Sequence, residues 1–72
     1  MTNKKPWQNQ MIKPAETVID LINNNYSVTS FSKKAKISTN SVYKILNGDL
    51  VSRYTMVKIS LNLDIPIDDI IQ

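Results

Sequence analysis

The sequence predicts an all-α domain, a compact set of five short helices. Three observations carry this expectation. Apolar residues recur at intervals of three and four along most of the chain. Serines able to cap a helix, and an Asn-Gly pair able to end one, stand at the edges of those periodic stretches. No stretch alternates convincingly in the manner of a strand, and there is no internal repeat or low-complexity tract.

The first helix is expected to open at Pro14, whose missing N–H costs nothing at the first helical position. Ala15, Val18, Ile19 and Ile22 follow on one face. Asn23, Asn24 and Asn25 are expected to stop it, because asparagine tolerates the left-handed region. Ser27 can cap the second helix, with Tyr26 and Phe31 placed as a hydrophobic staple. Phe31, Ser32 and Ala35 form its inner contacts. A link of three residues, Lys36 to Ser38, leads to the third helix.

Ser38 can cap that third helix. Val42, Ile45 and Leu46 share its buried face, while Thr39, Asn40, Tyr43, Lys44 and Asn47 point elsewhere. Gly48 suits the left-handed residue that ends a helix. Ser52 can cap a fourth helix with a stripe of Met56, Ile59 and Leu63 beside small Ser60. Asp64-Ile65-Pro66 breaks it, and Ile67 to Ile71 reads as a last short helix with Asp68 and Asp69 in its first turn.

Composition narrows the function classes. At 72 residues the chain is long enough for one small domain. It has no cysteine and no histidine, which removes disulfides, thiolate metal sites, the usual general base and the commonest metal ligand. A single glycine rules out a Gly-rich phosphate loop, and the adjacent carboxylates Asp68 and Asp69 would point in different directions on a helix. The expectation is a protein that is not an enzyme and binds no cofactor, metal or small-molecule ligand. No apolar run approaches a membrane span, and the lysine-bearing N-terminus lacks the apolar core of a secretory signal, so a cytoplasmic location is expected.

The net charge of +3 is unevenly spread. Residues 1–13 carry +3 and residues 27–53 carry +4, while residues 14–26 and 54–72 carry −2 each. A basic middle flanked by acidic segments is an electrostatic footprint for a polyanion. The exposed face of the third helix adds hydrogen-bonding groups and one cation but no carboxylate, which suits a DNA groove. Residues 1–13 show little periodicity and read as a flexible basic arm, with residues 14–72 as the domain. Trp7, the only tryptophan, is expected either to pack back on the domain or to contact a partner.

Two short helices joined tightly, the second polar outside, form the helix-turn-helix pattern. From about residue 15 to 71 the chain resembles the Cro/repressor helix-turn-helix family, also called XRE. The resemblance rests on Phe31-Ser32, on Ala35-Lys36-Ile37-Ser38, and on Ser41-Val42-Tyr43-Lys44-Ile45-Leu46-Asn47-Gly48. It is reinforced by the stretch from Met56 to Leu63 and by Ile65-Pro66-Ile67-Asp68-Asp69-Ile70. It implies a five-helix, lambda-repressor-like DNA-binding domain whose third helix enters the major groove. It also implies double-stranded operator DNA as partner and a transcriptional regulator of phages or mobile elements in a bacterial host. Such proteins commonly bind as dimers.

Carried over by residue, the resemblance gives Thr39, Asn40 and Lys44 to base edges, and Ser41 and Tyr43 to flanking phosphate or sugar. Arg53 stands where the family often touches the backbone, and Lys33, Lys34 and Lys36 add charge nearby. The chain departs from the family pattern at Val28, where glutamine often contacts phosphate, and at Asp49, where a basic residue is frequent. Lys36 replaces a common turn glycine. Asp64 stands where glycine often follows the fourth helix, and Pro66 where a small residue caps the fifth. A second reading is therefore a modulator of repression, or antirepressor, that binds the phage's main repressor. With no further domain in the sequence, association would use the chain's own surface: Leu50 and Val51 in a loop, or Ile70 and Ile71 near the end. Homodimerisation is the other use of such a surface.

Overall fold

The computed structural model describes residues 10–72. The expectations for Trp7 and for most of the arm fall on residues 1–9, outside the described residues. Six elements follow in chain order: β1 (Met11–Ile12), α1 (Glu16–Asn25), α2 (Val28–Ala35), α3 (Thr39–Leu46), β2 (Val51–Ser52) and α4 (Arg53–Leu63). A single 3₁₀ turn at Ile67–Asp69 closes the chain.

Three helix starts share one device. Ser27, Ser38 and Ser52 each adopt extended backbone and accept, through Oγ, the N–H of the residue three further on. Each accepting serine also meets the hydroxyl of that later residue: Ser30 at 3.1 Å, Ser41 at 3.1 Å and Thr55 at 3.0 Å. At α2 the arrangement is a full capping box, because Ser30 Oγ also accepts from the Ser27 N–H.

Three helix ends share another. Lys36, Gly48 and Asp64 all lie in the left-handed region, at φ 60°, 75° and 57°. After each, the next N–H reaches back to close the helix: Ile37 to Ser32 O, Asp49 to Lys44 O and Ile65 to Ser60 O. Lys36 and Asp64 thus occupy the glycine conformation with a Cβ in place.

The core gathers Val18 and Ile22 from α1, Phe31 and Ala35 from α2, and Val42 and Ile45 from α3. Val51, Met56, Ile59 and Ile70 complete it. The Tyr26 and Phe31 rings meet edge-on at 5.3 Å, which is the expected staple. Among the described residues, no buried side-chain nitrogen or oxygen lacks a hydrogen-bond partner.

Several expectations are corrected. Among the described residues there are four α-helices, and the expected fifth is one 3₁₀ turn, too short after Pro66 to complete an α-helical turn. Strand pairing does occur: Met11 and Ile12 run antiparallel to Ser52 and Val51. The reading missed it because each strand has two residues, too few to display alternation. Residues 11 and 12, assigned to the arm, are therefore tied to the domain, and Ile12 packs on the core.

Pro14 does not open α1. It is buried before the helix and bridges to Ile71, while Ala15 takes the cap position without a side-chain cap. The chain end is tied to this start: the Ala15 N–H donates to Ile70 O at 2.9 Å, and the Thr17 hydroxyl to Asp69 O. The asparagine run does not stop α1 either. It forms the last turn, with Asn25 Nδ2 donating to Leu21 O, and extended Tyr26 ends the helix.

Candidate nucleic-acid interface

The turn between α2 and α3 is built from local chemistry. Lys36 reverses the chain in the left-handed conformation, Ile37 tucks half-buried against the core, and Ser38 restarts the helix. The turn is also braced from outside. Asn62 on α4 donates through Nδ2 to Ala35 O at 2.9 Å and to Lys58 O at 2.9 Å. Asn62 thereby ties the last turn of α2 to α4, which holds the pair of helices at a set angle. The sequence reading passed over this residue. Its one signal is an asparagine inside a helix, where it is a weak helix former unless its amide finds work.

Buried Val42 and Ile45 anchor α3, and Leu46 packs against the same core. The opposite side is open. Thr39, Asn40, Lys44 and Asn47 are exposed, and Tyr43 is 54% exposed. At about 100° per residue these five fall on one arc of about 140°. That arc offers a hydroxyl, two amides, a phenol and an ammonium, with no carboxylate among them. Amides and cations are the groups that pair with base edges in a major groove.

The remaining expected contacts divide. Lys33, Lys34 and Lys36 are exposed around the end of α2. Arg53 is half-buried as the first residue of α4, its N–H donating to Gln10 O at 2.7 Å. Ser41 is half-buried and paired with Ser38, so its hydroxyl belongs to the α3 cap. Val28, the departure at the phosphate-contact position, opens α2 and packs against the core. Asp49 is exposed just past α3.

The four expected interface residues do not form one surface. Val51 and Ile70 are core residues, at 3% and 2% exposure, so neither is offered to a partner. Val51 is turned inward by pairing with Ile12, and Ile70 is drawn in by the bond from Ala15. Ile71 is half-buried and packs on the core. Leu50 alone is open, at 53%.

No helix among the described residues is long and apolar enough to cross a membrane. No curated protein and no solved structure matches the chain. One family does: the model for the Cro/C1-type HTH DNA-binding domain matches residues 21–72, which include α2, the turn, α3 and α4. The matched part contains the capped helix pair and the open polar face of α3, so the chain belongs to the Cro/C1-type HTH DNA-binding domain family.

Proposed function

We propose that this chain is a small transcriptional regulator of a phage-type lysis–lysogeny switch, acting by inserting α3 into the major groove of an operator. The observation that carries the reading is the outward arc of α3, polar, singly basic and free of carboxylates. In this reading Asn40 and Lys44 read base edges, Asn suited to adenine and Lys to guanine. Thr39 is a further base-edge contact. Tyr43 and Arg53 contact sugar or phosphate, while Lys33, Lys34 and Lys36 add electrostatic attraction. Ser41 contributes by holding the start of α3.

A second reading has its own support. Leu50 is exposed directly beside Asp49, an apolar-acidic tip that favours a protein partner over phosphate. In that reading the chain binds the phage's main repressor and alters its DNA binding.

The deciding experiment titrates the protein into labelled duplex from around its own gene, at low and physiological salt. The regulator reading expects binding in the nanomolar range that survives physiological salt and outcompetes random duplex. Weak binding that collapses with salt overturns it, because that behaviour is charge contact alone. Loss of complex with the neighbouring repressor in Leu50→Asp would then support the second reading.

A further inference from the structure

We infer that Asn62, on α4, is a positioning residue for DNA recognition: its amide fixes the angle at which α2, the turn and α3 stand against the rest of the domain. The inference rests on the reading of α3 as the groove-entering helix, and its test tells the failure of one from the failure of the other.

The starting point is what holds the helix pair. Phe31 and Ala35 of α2, and Val42 and Ile45 of α3, are fixed to the core by apolar contact. Such contact is non-directional, so it resists separation more than it resists small slides and rotations. The caps and turns of α2 and α3 bond only to near neighbours in sequence. Among the described residues, one hydrogen bond joins α2, the turn or α3 to another element. It is the bond from Asn62 Nδ2 to Ala35 O, across 27 positions in sequence.

The geometry makes this tie rigid. The same Nδ2 also donates to Lys58 O, one turn back on α4, so both amide hydrogens are used and the side chain is held in one orientation. Ala35 is fully buried, and as a residue of the last turn of α2 its carbonyl lies beyond the intrahelical donors. Asn62 supplies the donor that this carbonyl needs. The bond sits one residue before Lys36, where the chain reverses, and α3 begins at Thr39. A shift at the end of α2 is therefore passed to Thr39 and Asn40, the first residues of the polar arc. Half-buried Asn62 acts through Ala35, without touching DNA. Specific binding needs side chains placed on base edges, whereas non-specific attraction to phosphate depends on charge. Removing the tie costs the first and spares the second. The loss is bounded by one hydrogen bond, because a contact biases two arrangements by no more than its own free energy.

The test compares the wild-type chain with Asn62→Leu, which keeps similar bulk without a donor, and Asn62→Ala, which removes the amide outright. Each is titrated into the labelled duplex from around its own gene and into random duplex of equal length. The temperature is one at which circular dichroism shows the variants fully folded. Affinity for the first duplex should fall about two- to tenfold in both variants, and affinity for random duplex should be unchanged. Amide hydrogen exchange without DNA should be faster at the Ile37 N–H, which is bonded to Ser32 O, and unchanged at the Tyr26 N–H that ends α1. A wild-type chain with no preference for its own duplex overturns the regulator reading and this inference with it. A preference that both variants keep, an equal loss on the two duplexes, or unchanged exchange at Ile37 overturns this inference alone.

Discussion

Helices α3 and α4 are framed alike and face outward differently. Each begins at a serine whose hydroxyl takes the N–H three residues on and meets a second hydroxyl there. Each ends at a left-handed residue, Gly48 or Asp64. Each buries β-branched or flexible apolar side chains in the same core. Outside, α3 presents Asn40, Tyr43 and Lys44, whereas α4 presents Tyr54 and Leu61, with Val57 half-buried. Caps and inner stripe decide that a helix forms and where it sits. The outer arc makes few core contacts and bears little on folding.

The comparison breaks first in the core if it is wrong. Ile45→Ala and Ile59→Ala both remove a fully buried side chain and should each cost about 2–5 kcal/mol, a large part of what a small domain has. Chemical denaturation checks this, and a much smaller loss at either site would show that its helix is not anchored as described. The outer faces come next. Lys44→Ala and Asn40→Ala should each weaken operator binding by about 1–3 kcal/mol, while Lys58→Ala on α4 should leave it nearly unchanged. Gel shifts on one duplex compare the three, and equal losses would erase the distinction between the two helices.

The caps should differ little between the helices. Ser38→Ala and Ser52→Ala each orphan an N–H in the first turn and should destabilise by about 1 kcal/mol. Effects of similar size, opposite in sign, belong to the helix ends. Asp64→Gly relieves a Cβ in the left-handed region and should stabilise by about 0.5–1 kcal/mol. Gly48→Ala should do the reverse by about 1 kcal/mol or a little more, through backbone strain alone, because no atom lies within 4 Å of the added Cβ. Thermal melts resolve both signs.

Much of this was legible in residue order. The serine caps, the Tyr26–Phe31 staple, the inner stripes and the Gly48 end are interactions between residues three to five apart, so spacing alone reports them. The polar arc of α3 was legible for the same reason, since a helix turns neighbours at i, i+3 and i+4 onto one side. The long-range features were not. Pairing of Met11–Ile12 with Val51–Ser52, the Pro14–Ile71 bridge and the Asn62 bond to Ala35 join residues 27 or more apart in sequence. Nothing in a two-residue strand or a lone asparagine announces its partner.

The sequence by itself determined that this chain forms short capped helices around an apolar stripe, with a helix-turn-helix in its middle and a carboxylate-free face on the third helix. Those properties arise from local hydrogen bonds and from a periodicity of 3.6 residues. Only the tertiary structure decided which apolar residues are left for a partner. Leu50, Val51, Ile70 and Leu61 are of one chemical kind in the sequence, yet Val51 and Ile70 are held in the core by the strand pair and by the bond from Ala15. Leu50 and Leu61 stay in solvent. Burial depends on which distant segments pack against a side chain, and that is settled only when the whole chain has closed on itself.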